Sequence, residues 1–363
     1  MTIGILFYGR YQALAVIYVS KNVCLYAFIW SIHTYIDGTY SLFLMNSKEI
    51  LMNIPTLRCI LFSVVSTVML GACHATSIDV TRAKFGILKS EVDIQASLRL
   101  VGPITMTKHL AAHWEVDRAG LINLDSPKAI AAGLEAGPES IEIYTYSITH
   151  PQFGTYLIDS GVSKNFLDAK NNTDLTFIVR AAMNTDSLKV VKTTSAIADS
   201  FSEPIKGVLL SHIHLDHIMG LSDLPFGTPV YIGPGDSKLT RAENLFTQGT
   251  TDRLLVNVDS LREWPFNPEA PSSSAIDLFG DGSVWAIHSP GHTPGSTAYL
   301  VQSTNGLQLI TGDASHTRWG WINGVEPGTF STDQPASLKS LTKLKKFVTL
   351  NPGTEVHPGH QSL

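Results

Sequence analysis

The chain has 363 residues, with 26 Lys and Arg against 31 Asp and Glu, and a charged fraction of 16%. A formal net charge of −5, without a basic cluster or interleaved basic and aromatic residues, gives no support for nucleic-acid binding. The length alone would allow two domains, so domain boundaries have to come from the sequence pattern.

The N-terminal stretch 1–51 is apolar and aromatic, but charged residues interrupt it at Arg10, Lys21 and Asp37. Two hypotheses fit this stretch. It is an extension that is not translated, with the true start at Met52, or it is a genuine membrane-associated segment.

A secretory signal peptide is predicted over 52–73. Arg58 precedes an uncharged apolar run over 60–72 that ends in small residues and is too short for a comfortable transmembrane helix. The end of this run, LGAC, resembles a lipoprotein signal. It predicts lipidation of the Cys73 thiol, a membrane tether and an exported protein at the outer membrane or in the periplasm. Cleavage after Ala75 would instead give a soluble periplasmic or secreted protein.

Residues 76–363 are enough for one large domain. Apolar runs predict strands at 141–147, 155–158, 208–210, 230–232, 284–287, 297–301 and 307–311. Helical patterns cover 128–135, 187–200, 216–221, 236–246 and 334–347. Segment 264–280 is predicted to be a loop, and 76–140 has room for a first strand, a helix and a loop. Strands and helices repeated in two halves predict two packed sheets with helices outside.

The densest group of candidate ligands is SHIHLDH, residues 211–217, directly after an apolar run. Alternate residues of an extended segment share one side, so His212 and His214 project together. Asp216 and His217 follow, where the chain can turn into a helix. Histidine and carboxylate bind borderline divalent metals such as zinc, so this segment could serve two adjacent ions.

Three later segments add further candidates. His292 lies in a turn that Gly and Pro residues make tight. Asp313 ends an apolar run at a position where a carboxylate could bridge two cations. His357 and His360 both lie near the C-terminus, and either could be the last ligand.

These segments together resemble the signature of the metallo-β-lactamase superfamily, which is His-x-His-x-Asp-His, a Gly-His turn, an Asp and a final His. The match runs from about 156 to 360. The resemblance implies an α/β fold, the four-layer αββα sandwich, and two divalent ions. Zinc is the default, and iron, manganese or cobalt would use the same ligands. The implied ligands are His212, His214 and His292 for one ion, Asp216, His217 and His360 for the second, and Asp313 between them.

The resemblance also implies supporting and catalytic roles. Asp159 ends an early strand and is expected to hydrogen-bond a ligand histidine, which fixes its tautomer. Two bridged ions would ionise a shared water, and the metal-bound hydroxide would attack an ester or lactone carbonyl. Asp216 is predicted to be catalytic, by accepting a proton or orienting that water while it binds metal.

The segments 311–317 and 333–344 resemble those of the N-acyl homoserine lactonases, which favours a small lactone or ester as substrate. Those enzymes place a Tyr three residues after the bridging Asp. Here the residue is His316, which is predicted to be catalytic by donating a hydrogen bond to the substrate. Trp319, Trp321 and Ile322 either form an apolar wall that receives an acyl or aromatic group or simply pack the loop.

Alternative functions remain open within the same fold: hydrolysis of a thioester, as in the hydroxyacylglutathione hydrolases, of an aryl ester or of an organophosphate. A β-lactamase is less favoured, because the common ones use a Cys ligand and all three cysteines here precede the candidate site. A non-catalytic binding protein is disfavoured, because all seven ligand positions are filled.

Overall fold

The computed structural model describes residues 13–20, 23–30, 74–98, 101–168, 172–241, 243–266 and 274–363. The chain divides into two compact units, Met1–Ala72 and Cys73–Leu363. In the first unit, β1 (Ala13–Ser20) and β2 (Val23–Trp30) pair as an antiparallel hairpin. The predicted signal peptide and Cys73 lie outside the described residues. No helix within the described ranges is long and apolar enough to cross a membrane.

The second unit contains two sheets. Their strands are β3 (Val80–Arg82), β4 (Ile87–Ser90), β5 (Thr105–Asp117), β6 (Pro138–His150), β7 (Gly154–Ile158), β8 (Lys189–Val190), β9 (Val208–Leu209), β10 (Val230–Ile232), β11 (Leu261–Glu263), β12 (Ser274–Asp277), β13 (Val284–His288), β14 (Thr297–Ser303), β15 (Gly306–Gly312) and β16 (Glu355–Pro358). One sheet has eight strands in the order β3-β11-β10-β9-β7-β6-β5-β8, and the other has six in the order β16-β15-β14-β13-β12-β4.

Helices cover the outer faces of both sheets. They are α1 (Glu91–Ser97), α2 (Arg118–Leu121), α3 (Pro127–Ala131), α4 (Phe177–Ala182), α5 (Thr194–Ala198), α6 (Leu215–Ile218), α7 (Asn244–Leu254), α8 (Arg318–Asn323) and α9 (Gln334–Leu350). Short 3-10 turns occur at Lys164–Asp168, Thr185–Ser187 and Leu221–Asp223.

Alternation along the strands divides the buried apolar side chains among three cores. In β7, Leu157 belongs to the core beneath the helices of the eight-stranded sheet, and Ile158 belongs to the core between the sheets. In β13, Ala286 joins that central core, and Trp285 packs in the third core with Leu341 of α9. Three cores separate four layers, which confirms the αββα sandwich.

The seven apolar runs predicted as strands are all confirmed. Strand β5, thirteen residues long, was not predicted. It pairs with β6 over nearly its whole length. Polar residues such as Lys108, His109 and His113 interrupt its apolar pattern, because only part of the strand is buried.

The helix predicted over 187–200 is wrong in its first half. Strand β8 forms there by pairing antiparallel with β5 at the edge of the sheet. Helix α5 begins only after Thr193, whose hydroxyl accepts a hydrogen bond from the backbone N of Ala196 and so caps the helix. Strand pairing at the sheet edge therefore determines the structure of this segment, despite its local helical pattern.

The prediction for 236–246 is also wrong over most of its length, because α7 begins at Asn244. Gly235 has φ +84°, and the Asp236 side chain accepts a hydrogen bond from the backbone N of Gly295 at 2.5 Å, which holds this segment in turns. The loop predicted over 264–280 contains β12, which pairs with both β13 and β4.

Near the candidate ligands, the backbones of two glycines, one beside each sheet, approach each other closely. Gly233 follows β10 and Gly295 precedes β14, and a Cβ added at Gly233 would lie 1.7 Å from the carbonyl O of Gly295.

Gly233→Ala should lower the free energy of unfolding by about 1–3 kcal/mol through overpacking, measured by urea denaturation. Gly249→Ala, in α7 with no atom within 4 Å of the added Cβ, is the control and should be neutral or stabilising. Equal changes in the free energy of unfolding for the two variants would contradict the close contact between Gly233 and Gly295.

Candidate metal centre

The sequence-predicted ligands come together where strand ends of the two sheets meet. His212 and His214 follow β9, and α6 carries Asp216 and His217. The other sheet contributes three segments: the turn after β13, the end of β15, and the turn after β16. These carry His292, Asp313 and His360.

The first group of donors consists of His212, His214 and His292. The Nε2 of His292 lies 2.8 Å from His214 Nδ1 and 3.1 Å from His212 Nε2. All three nitrogens lie within 4.8 Å of one another, so they could hold one ion.

The second group consists of Asp216, His217 and His360. The Nε2 of His360 lies 3.3 Å from Asp216 Oδ2, and His217 Nε2 lies 3.7 Å from the same oxygen. His360 belongs to this group, whereas His357 turns away and pairs through Nε2 with Gln308 Oε1 at 2.8 Å. The geometry therefore favours His360 as the last donor.

The Asp313 carboxylate lies between the two groups. Its Oδ2 is 3.6 Å from His212 Nε2 and 3.3 Å from His217 Nε2, and its Oδ1 is 3.4 Å from His360 Nε2. Asp313 follows Gly312, which has φ +49° and leaves no room for a side chain, because a Cβ there would lie 2.6 Å from Ser211 Cβ. The backbone thus places this carboxylate against both groups.

Oxygen atoms on the outer side of the centre fix the orientation of its rings. His217 Nδ1 donates to Asp159 Oδ2 at 2.8 Å, and His360 Nδ1 donates to the Glu142 carbonyl at 3.0 Å. Ser211 Oγ donates to Asp159 Oδ2 and so can accept from His212 Nδ1, at 3.1 Å. With a proton on Nδ1 held by its outer oxygen, each ring turns Nε2 toward the centre, where this nitrogen can bind a cation once it is deprotonated.

The contact expected for Asp159 is confirmed. This residue has φ +55°, an unusual value for a residue other than glycine, although Asp tolerates it better than most. Its Oδ1 also accepts a hydrogen bond from the backbone N of Ser211 at 2.7 Å. Asp159 therefore ties the loop after β9 to the ring of His217.

Burial and charge act in opposite directions on these groups. Burial holds the pKa of His212 and of His292 well below the usual histidine range and lowers the pKa of His214 to about 4, so the first group is neutral. Burial alone would lower the pKa of His217 as well, but the carboxylates of Asp159 and Asp313 raise it.

Two buried atoms at the centre have no hydrogen-bond partner within the described part of the chain, His217 Nε2 and Asp313 Oδ1. Leaving such atoms unpaired is costly. His217 Nε2 lies 3.3 Å from Asp313 Oδ2, which is an ion-pair distance, and it forms no hydrogen bond there. Nitrogen and carboxylate donors that converge in this way fit divalent cations.

His316 also lies at the centre. It is buried, and its Nε2 is 3.1 Å from Asp313 Oδ2. Of the two alternatives for Trp319, Trp321 and Ile322, an apolar wall at the centre is wrong. Trp321 packs in the core under α9, Trp319 packs against the core of the other outer layer, and Ile322 is 59% exposed.

A cleft of about 890 Å³ opens over the centre instead. The segment 76–140 supplies part of its lining through the end of β5 and through α2. Its apolar lining residues include Trp114, Leu121, Ile141, Met183, Leu215 and Phe330. The sequence pattern did not indicate these residues, because they come from five separate segments.

Asp236 is a further residue near the ligands that the sequence pattern did not indicate. It is fully buried, and it accepts a hydrogen bond from the backbone N of Gly295, in the turn that carries His292. Burial raises its pKa to about 7, although hydrogen bonds from Thr293, Gly295 and Ile213 favour the charged form. Asp236 therefore contacts both ligand-bearing loops without joining either ligand group.

The raised pKa of Asp236 gives a prediction about pH. The folded protein holds this proton from about pH 4 to about pH 7 and the unfolded chain does not, so the free energy of unfolding should fall as pH rises through that window. Asp236→Asn removes this contribution. The difference in stability between the metal-free wild type and the variant should therefore change with pH, by up to about 1.4 kcal/mol per pH unit. Urea denaturation from pH 4.5 to 7.5 measures it, and a difference that does not vary with pH would contradict the assignment.

Comparison with known proteins agrees with this architecture. The N-acyl homoserine lactonase AttM of Azorhizobium caulinodans is 30% identical over 157 residues, which cover 43% of this chain and 58% of that protein. The gamma-lactamase FDB1 of Fusarium pseudograminearum is 24% identical over 250 residues, 61% of this chain and 57% of that protein. The chain thus spans less than two thirds of the length of these relatives.

Among solved structures, a variant of AiiA from B. thuringiensis with N-decanoyl-L-homoserine bound at its active site shares the fold. Its TM-score is 0.50 at 17% identity, and the match covers 72% of this chain and 94% of that one. The sequence profile of the metallo-beta-lactamase superfamily matches residues 154–360, more than half of the chain and the whole stretch that carries the donor cluster. The chain belongs to the metallo-β-lactamase superfamily.

Proposed function

We propose that this chain is a dinuclear metal-dependent hydrolase that opens a lactone or another small ester. The observation that carries this proposal is the position of the Asp313 carboxylate, with oxygens 3.3–3.6 Å from histidine nitrogens of both donor groups. One carboxylate between two sets of donors could contact two neighbouring cations at once, which supports a two-metal site. Zinc is the metal that this mixture of imidazole and carboxylate favours.

In this proposal, His212, His214 and His292 hold one ion, Asp216, His217 and His360 hold the other, and Asp313 contacts both. When bound, the ions supply Lewis acidity toward a carbonyl oxygen and ionise water near neutral pH. No protein nucleophile is needed.

The chain itself orients the reactants. The Asp216 side chain is 16% exposed and lines the cleft, so it can accept a hydrogen bond from the attacking water and take its proton. The hydrogen bonds of Asp159 and of the Glu142 carbonyl hold His217 and His360 in one orientation. Preorganised groups of this kind need no rearrangement during the reaction.

The cleft supports a substrate with an apolar substituent. Aromatic and aliphatic side chains form a large part of its lining, and residues of the donor cluster line it as well. The relatives named lactonase and lactamase act on cyclic substrates by their names, which favours a ring carbonyl here. Thioester, aryl ester and organophosphate hydrolysis are the alternatives that the same donors could support.

We also propose that the protein is exported, with Cys73 as the lipid-bearing residue. This rests on the sequence pattern over 52–73 alone.

The proposal predicts the outcome of a substrate panel. The metal-loaded protein should hydrolyse N-acyl homoserine lactones faster than a γ-lactam, an aryl ester, a glutathione thioester, an organophosphate or a penicillin. Asp313→Ala and His212→Ala should each lower kcat/KM by more than about 100-fold, because loss of a ligand should cost more than loss of a partner behind a ligand. His357→Ala, a buried histidine outside the donor groups, should retain activity.

If another substrate class is turned over faster, that class would replace the lactone as the proposed substrate, and the proposal of a dinuclear hydrolase would stand. Full lactone turnover by the Asp313→Ala protein would contradict the role of the shared carboxylate.

A further inference from the structure

His316 occupies a position between the two donor groups. Its ring meets the ring of His292 edge-on at 4.7 Å and stacks on His360 at 5.6 Å with an interplanar angle of 12°. The backbone N of His360 donates to the carbonyl of His316 at 2.8 Å, so the two residues are held as one unit. His316 is 2% exposed.

The outer nitrogen of His316 decides which tautomer it adopts. Nδ1 lies 3.2 Å from the backbone carbonyl O of Leu121, and a carbonyl only accepts hydrogen bonds. Nδ1 therefore carries a proton, and Nε2 is the nitrogen that faces the centre. This is the same arrangement as in His217 and His360.

The role expected for His316 from the sequence, a hydrogen bond to the substrate, would use a proton on Nε2. In the structure, Nε2 lies 3.1 Å from Asp313 Oδ2, so it faces the carboxylate that lies between the two donor groups. A cation held by Asp313 would therefore lie within reach of this nitrogen.

We propose that His316 is an eighth donor of the metal centre, binding a divalent transition metal through Nε2 beside His292 and Asp313. The donor atoms of these three residues lie within 4.8 Å of one another, the same spacing as in the two groups already described. The inference rests on the proposed function, because it needs metal at the centre. It gives the ion nearest His292 one more imidazole than the seven-residue set provides.

The test measures metal binding rather than activity. Purified full-length wild type, His316→Ala and His316→Gln are titrated with Zn²⁺ against a chromophoric chelator, and the visible absorption of the Co²⁺-substituted proteins is recorded. The Gln variant retains a polar side chain of similar volume, in case the Ala variant folds poorly. His357→Ala is the matched control, because His357 is a buried histidine that points away from the centre.

Both His316 variants should bind one of the two ions at least about tenfold more weakly than wild type, and their Co²⁺ spectra should change. The control should match wild type in both measurements. Unchanged affinity and an unchanged Co²⁺ spectrum in both variants would overturn the ligand role, and in that case lost lactone turnover would assign His316 to the substrate instead. A wild-type protein that binds no metal would overturn this inference and the proposed function together.

Discussion

The site depends on hydrogen bonds that point away from it. Five buried histidines can turn one nitrogen toward a common centre only if the other nitrogen of each ring has a partner. Asp159, Ser211 and two backbone carbonyls provide partners at 2.8–3.2 Å for four of these rings. Ser331 Oγ lies 3.5 Å from His292 Nδ1, so the fifth ring is held more loosely. These contacts turn the inner nitrogens toward Asp313, an arrangement that cations would stabilise.

The sandwich fold explains why the partners are available. Each ligand lies just beyond a strand end, and the two sheets bring strand ends from distant parts of the chain to one edge. Close backbone approach is required there. A Cβ on Gly359 would lie 2.1 Å from Asp313 Oδ1, and a Cβ on Gly295 would lie 2.6 Å from the Asp236 carboxylate. These glycines beside the ligands therefore allow close backbone packing as well as turns.

Much of this could be predicted from the sequence because the information is local. The apolar runs identify the strands, and the donor residues follow them at short, regular spacing. The partners of the outer nitrogens were not predictable in the same way. Leu121 and Glu142 contribute backbone carbonyls, which any residue could supply, and they lie 195 and 218 positions from the rings that they hold.

The errors have the same origin. The helical pattern around Asp236 was misleading because a buried carboxylate bonded to Gly295 holds that segment in turns. Trp319 and Trp321 were candidates for an apolar wall because they follow Asp313 closely in sequence. In the fold, both pack in cores and the cleft is lined from elsewhere. Tertiary contacts outweighed sequence proximity in each case.

The most direct test of a dinuclear centre is an anomalous-scattering crystal structure of the protein grown with Zn²⁺. Two anomalous peaks roughly 3.5–4 Å apart are expected. One should lie among His212, His214 and His292, the other among Asp216, His217 and His360, with Asp313 in contact with both. A single peak, or none, at full protein occupancy would contradict the central claim that these side chains form a dinuclear centre.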